Sequence, residues 1–314
     1  MWIDDNTGRG GVLFISLDIV GLLNKDVNRI RERLSRFSEK TGCRSINVCS
    51  THNHAGIDTM GIWGPLPFSG KNEKFMNLLF DAVKEIAFEA YNSRRKGDLY
   101  LGTIEVPDMQ EDIRTPIVYS KILTRFRFVP EDNSNEIWML NFASHSESLQ
   151  GCNHLVSADF PCYLREKIRN TTGAETFYTV GAIGGMISMD IPDEKLLRDE
   201  HRLIESTRNI GYRLADYAIA IDNDKKLQPI VNFARKGDIV ITQDYGLAAL
   251  VLGKGAKALN QNGLIYTDSN IENLLFTRFI GKKERMAGNR TKGPKKRTDQ
   301  NDADFLKALL LCLE

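Results

Sequence analysis

SINVCSTHNHAG, residues 45–56, is the stretch from which the rest of the chain is read. A short apolar run (Ile46, Val48, Cys49) ends in two histidines, His52 and His54, set two positions apart. On extended backbone, positions i and i+2 face the same way, so both imidazoles would share one space beyond a strand end. The chain has five histidines, and His145 likewise follows a strand-like run, Ile137–Phe142. Strand ends are where open α/β sheets place their chemistry, and neutral imidazole is the commonest metal ligand. His52 and His145, with His54 close by, are the candidates for half of a zinc site. Spacing alone does not establish it, because zinc takes three or four converging ligands. A polar His-Asn-His loop can equally cap a strand through hydrogen bonds.

With 314 residues the chain has room for two domains. Apolar residues make up 42% and charged residues 26%, which is ordinary globular composition. The net charge of +1 names no partner, but one basic segment near the C-terminus stands out. No apolar run reaches the roughly 20 residues of a membrane span, and the opening residues show no signal-peptide pattern. The five cysteines are scattered without a C-x-x-C pair, which suits reduced thiols and a cytoplasmic setting.

The patterning predicts a layered mixed sheet with flanking helices, an α/β fold. WIDDNTGRGGVLFISLDIVGL reads as a hairpin, and residues 25–40 and 72–94 repeat apolar positions at helical spacing. Strand-like runs recur at 98–106, 117–128, 136–142 and 176–180, and helical ones at 159–169 and 194–221. Asp18, within an apolar run, reads as a buried structural acid or a site residue, the former favoured because an unpaired buried charge is costly. VGAIGGMIS (180–188) is a glycine-rich connection that ends in Ser188.

STHNHAG resembles the S-x-T-H-x-H-S/A-G motif of the neutral (non-lysosomal) ceramidases. MLNFASHSESL (139–149) with NHLVSADFPCYL (153–164) resembles their second histidine motif, GAIGGMIS their G-D-V-S segment, and SLDIVGL an early strand. Together these cover about residues 1–225 in the family order. The resemblance implies zinc on His52 and His145, and His54 as oxyanion or acid–base partner. It implies Ser188 at the position of the proposed nucleophile, and Arg114 in IRTPIVY as the family arginine. The implied reaction is hydrolysis of a small amphipathic N-acyl amide, such as N-acylsphingosine, to fatty acid and amine. The resembled ceramidases are often secreted. The chain departs from the family at several points: it has no Pro-Gly-Glu segment, and Met186 and Met189 flank the serine where the family has Asp and Pro. Either another carboxylate such as Asp159 completes the zinc shell or binding is poor; Asp159 also reads as a helix N-cap.

From about Ile230 the character changes. The run GDIVITQDYGLAALVLGKGAKALNQNGLIYTDSN and onward resembles the YaiI/YqxD family, related to PIN-like nucleases. The seam is KKLQP (225–229), giving a ceramidase-like domain 1–225, truncated relative to its family, and a YaiI/YqxD-like segment 226–314. This second segment reads as a smaller, incomplete α/β (PIN-like) unit. Its candidate metal-binding acid is Asp244, at the end of a strand; Asp238 reads as a turn residue. The acidic V-D-A-D-A-C opening of that family is missing, and a Mg²⁺ or Mn²⁺ nuclease site needs several oxygen ligands. Lys282, Lys283, Arg285, Arg290, Lys292, Lys295, Lys296 and Arg297 form a basic loop around Glu284. Such a loop either binds nucleic acid through phosphates or is simply solvated. The sequence thus supports an amidohydrolase, a nucleic-acid-binding or nuclease-related module, or an inactive fusion.

Overall fold

The computed structural model describes residues 1–6, 10–64, 67–149, 153–190, 199–227, 234–286 and 298–313; of 278–286 only the helical backbone is described. The chain divides into two compact units, Met1–Leu227 and Gln228–Glu314. Both mix strands and helices, an α/β architecture with mixed sheets and flanking helices.

The first unit opens with β1 (Trp2–Ile3) antiparallel to β2 (Val12–Leu17). Leu13 and Ile15 alternate into the core as a half-buried strand requires. The helical run predicted over 25–40 is two helices, α1 (Asn24–Arg33) and α2 (Ser35–Thr41), separated by Leu34 at φ −94°, ψ 7°. Ile30, Leu34 and Phe37, at the i, i+4 and i+7 spacing of one apolar face, are all completely buried. Gly42, at φ 70°, ends α2 in the left-handed conformation that glycine adopts without Cβ strain. β3 (Ser45–Ser50) then lies parallel to β2, and α3 (Glu73–Asn92), capped by Asn72, packs Met76, Phe80 and Val83 into the same core.

β4 (Gly97–Glu105) is followed by the short β5 (Gln110–Asp112), β6 (Ile122–Pro130) and β7 (Ile137–Phe142). Residues 117–121, expected in a strand, precede β6, and Ile117 and Val118 face solvent. α4 (Phe160–Thr172) leads to β8 (Glu175–Val180), parallel to β7. β9 (Ile187–Met189) pairs with β5, α5 (Glu200–Ile219) packs on α4, and β10 (Lys225–Lys226) adds to β4. The principal sheet therefore runs β10-β4-β6-β7-β8, with Leu140, Phe142, Phe160, Leu164, Tyr178 and Leu214 in its core. Ser16 Oγ donates to the Tyr178 carbonyl at 2.6 Å, tying the small sheet to the edge of the principal one.

Asp18 is not buried. It is exposed and makes a bidentate ion pair with Arg165, at 2.7 and 3.2 Å. The chain leaves β2 at Leu17, so the next side chain is released from the alternation of the strand.

The second unit has β11 (Ile239–Ile241) parallel to β12 (Lys257–Leu259), which pairs antiparallel with β13 (Ile265–Tyr266). Its helices are α6 (Tyr245–Leu252), α7 (Asp268–Met286) and α8 (Asp299–Leu313). Lys282, Lys283 and Arg285 lie on α7, not in a loop, since lysine, glutamate and arginine extend a helix readily. Their side chains, and Arg290, Lys292, Lys295, Lys296 and Arg297 entirely, lie outside the described residues. Among the described residues no helix is long and apolar enough to cross a membrane.

Candidate metal centre

The end of β3 and the end of β7 are stitched together by hydrogen bonds. Asn53 and Ser146 form an isolated parallel bridge, and the His54 N–H donates to the Ser146 carbonyl at 3.0 Å. Ser146 Oγ donates to the Thr51 carbonyl at 2.8 Å, and Asn53 Nδ2 to the Ser157 carbonyl at 2.6 Å. His52 has φ 56°, so the histidine pair is not on extended backbone as the spacing predicts. The chain turns at His52 into a left-handed conformation that non-glycine residues adopt sparingly, histidine more readily than most. That turn, and not strand alternation, brings His52 and His54 into one space.

The three rings converge. Centroids are 4.7 Å apart for His52 and His145, 4.9 Å for His52 and His54, and 5.7 Å for His54 and His145. One ring nitrogen from each lies within 4.8 Å of the others. Among the described residues this is the group of three or more His, Cys, Asp or Glu placed to hold a metal ion.

Backbone carbonyls set two of the ring tautomers. His52 Nδ1 lies 2.7 Å from the Val20 carbonyl and His145 Nδ1 2.7 Å from that of Ile187. A carbonyl oxygen only accepts, so each Nδ1 carries the proton and each Nε2 keeps its lone pair. Metal-bound histidines are held in this way by their surroundings. Burial lowers the pKa of His52, and the neighbouring His145 and His54 add to the lowering, against the Val20 hydrogen bond and Glu147. Burial lowers that of His54 as well, with Glu147 pulling the other way. Both rings are therefore neutral at pH 7, the form that binds a metal.

Ser188, on β9, is buried, and its Oγ–H donates to Glu147 Oε1. The other carboxylate oxygen, Oε2, lies 3.2 Å from His54 Nδ1. Glu147 thus joins two of the candidate residues, and sequence reasoning passed over it. Its signal was present: in His-Ser-Glu-Ser the glutamate follows His145 at the same two-residue spacing that drew attention to His52 and His54.

Other candidates fall elsewhere. Arg114 is exposed just after β5, its own N–H on Asp112 Oδ1 at 3.0 Å. Among the described residues it makes no hydrogen bond or ion pair with the imidazoles. Asp159 is fully buried and caps α4, accepting from the N–H groups of Ser148, Leu149 and Phe160 at 3.1, 2.9 and 2.7 Å. Those bonds occupy its oxygens, so it is a structural acid. In the second unit, Asp244 is the N-cap of α6, accepting from Gly246 N and Leu247 N at 2.7 and 3.2 Å. Among the described residues it joins no group of three ligand side chains. Asp238 accepts from the Arg235 N–H at 2.8 Å, as a turn residue does.

The chain has a ceramidase-like α/β fold. It aligns with the neutral ceramidase from Pseudomonas aeruginosa at a TM-score of 0.57 and 18% identity, over 70% of this chain and 38% of that one. A ceramidase complexed with C2 aligns at 0.57 and 17% identity, over 69% of this chain and 36% of that one. Residues 214–314, starting within α5, match the uncharacterized YaiI/YqxD family. A UPF0178 protein of Ruminiclostridium cellulolyticum is 53% identical over 102 residues, 31% of this chain and 67% of that protein. One from Clostridium tetani is 51% identical over 113 residues, 36% of this chain and 73% of that protein. The chain belongs to the YaiI/YqxD (UPF0178) family through this C-terminal part.

Proposed function

We propose that the chain is a zinc-dependent amide hydrolase acting on a linear N-acyl amide with an apolar acyl chain. The observation that carries the reading is the convergence of His52 and His145 from two strand ends, each with Nδ1 fixed on a backbone carbonyl at 2.7 Å. The donor set fits zinc: neutral imidazole nitrogens and an open side for a further ligand. A ring nitrogen of His52 and one of His145 lie within 4.8 Å of each other, close enough that both could reach one ion. When bound, the ion supplies a Lewis acid that polarises the amide carbonyl.

The chain's own residues supply the rest. His52 and His145 would hold the ion. His54, with Nδ1 3.2 Å from Glu147 Oε2, offers Nε2 as the base that accepts a proton from the attacking water and returns it to the departing amine. Hydrolysis then places OH on the acyl carbon and H on the amine nitrogen. Ser188 presents its hydroxyl beside the same carboxylate. Trp63, with its ring 6.2 Å from that of His54 and its surface half exposed, offers an apolar wall to an acyl chain.

Elemental analysis of the purified full chain tests the reading. About one zinc per chain is expected, lost in His52→Ala and in His145→Ala, together with release of fatty acid from an N-acyl amide by the wild type alone. Folded protein that takes up no added zinc overturns it.

A further inference from the structure

We infer that Glu147 is a positioning residue, one carboxylate that fixes the tautomer of His54 and the rotamer of Ser188 together. Its catalytic consequence rests on the hydrolase reading above, whereas its geometry does not. Oε1 accepts the Ser188 hydroxyl hydrogen and Oε2 lies 3.2 Å from His54 Nδ1, with the glutamate side chain 15% exposed. A carboxylate is an acceptor at both oxygens: the Ser188 hydroxyl brings its hydrogen to Oε1, and Oε2, 3.2 Å from His54 Nδ1, favours the ring form that carries its proton there.

Two consequences follow. His54 is protonated at Nδ1 and keeps its lone pair on Nε2, matching the state that backbone carbonyls impose on His52 and His145. The Ser188 hydroxyl, with its hydrogen aimed at Glu147, turns its lone pairs away from the carboxylate. One carboxylate orients a group on β9 and a group in the loop after β3 at once, coupling the two.

The glutamate is itself held on both sides. Ser146 is buried with Oγ on the Thr51 carbonyl, and Ser148 is buried with its N–H and its hydroxyl on Asp159. With both neighbours anchored, the backbone of Glu147 has one place to be, and its side chain spans the gap between His54 and Ser188. An exposed ion pair held only by its own attraction would carry no such support and would contribute little.

Ring ¹⁵N spectra of the metal-free full chain test this at pH about 8, above the imidazole range, with His54 assigned from His54→Gln. The expected wild-type signal is Nδ1 protonated and Nε2 bare. In Glu147→Ala the ring shifts toward the Nε2–H tautomer that an unconstrained imidazole favours. A wild-type His54 protonated at Nε2 overturns the inference, and that reading needs no variant to fold. An unchanged ring in a folded Glu147→Ala overturns it too. With zinc bound, Glu147→Ala is expected to lose roughly 10–100-fold in kcat on a fluorogenic N-acyl aminocoumarin, with KM and zinc content unmoved. Full activity in the variant overturns the catalytic part. A wild type that binds no zinc and cleaves no amide sinks the hydrolase reading, while the ring spectra still decide Glu147.

Discussion

The imidazoles of His52 and His145, each with Nδ1 on a backbone carbonyl, stand with ring centroids 4.7 Å apart although their strands belong to different sheets. The peptides around them do the joining: Thr51, Asn53 and His54 all bond across to the segment 146–157. The site takes no side chain from the cores that hold the fold.

Zinc should stabilise the folded chain without being needed for it. At a free concentration of about 100 times Kd, a ligand that binds only the native state adds about 2.7 kcal/mol. Thermal or urea unfolding with and without zinc should show this increment in the wild type. His52→Ala should lose the increment while its far-UV spectrum stays unchanged, and chelation should return the wild type to its metal-free midpoint.

Asp159→Ala should be among the more damaging single changes in the first unit. It strands the buried N–H groups of Ser148, Leu149 and Phe160 and removes the cap of α4. An unsatisfied buried donor costs about 1–3 kcal/mol, so a loss of about 3 kcal/mol is expected in urea unfolding. A loss below about 1 kcal/mol would mean that water or a shifted backbone satisfies these donors.

Asp58 should make the loop beside the histidines sensitive to acid. Burial alone would raise its pKa, but the N–H groups of Trp63, Gly61, Met60 and Ile62 outweigh it and hold the carboxyl below its usual range. A carboxyl with a folded pKa below its unfolded one contributes stability above the unfolded value, about 3.9. That contribution disappears as pH falls through the folded value. Wild type should therefore exceed Asp58→Ala in stability at neutral pH, the gap narrowing below pH about 4. Urea midpoints measured from neutral to acid pH check the trend.

Arg125 is a buried cation whose two terminal nitrogens are partnered while Nε has no hydrogen-bond partner among the described residues. It donates to the Ala218 and Ile221 carbonyls at 2.7 and 2.8 Å and to Asp224 at 2.8 Å, and its guanidinium lies 4.4 Å from the Trp138 ring centroid. Arg125→Ala leaves Asp224 with Arg127 alone and should cost roughly 3–5 kcal/mol. Chemical denaturation is the measurement. Asp224→Asn should cost less, because it leaves an acceptor for both arginines.

In the second unit, Asp244→Ala should act as loss of a helix cap. A decrease of about 1 kcal/mol in unfolding free energy is expected, with Asp244→Ser restoring much of it. Serine and asparagine replace a cap but not a metal-binding carboxylate, so failure of both to restore stability would point away from capping.

The amino-acid sequence by itself determined the α/β class, the hairpin, most helices and the Asp159 cap, because these depend on periodicity and hydrogen bonds within a few residues. Asn72, Asp159 and Asp244 sit directly before the helices they cap. His52, His54 and His145 were legible as a set because each follows a strand-like run. Only the tertiary structure decided how they meet. His52 turns at φ 56°, which no spacing rule predicts, and the Asn53–Ser146 bridge sets the register between segments distant in the chain. Glu147 is the plainest case: its proximity to His145 was visible, whereas its grip on Ser188 and His54 depends on β9 and the loop after β3 being packed against it. Local patterns carry energies of one residue on its neighbours, while a site made by three distant segments exists only once the sheets and their connections have fixed those segments in space.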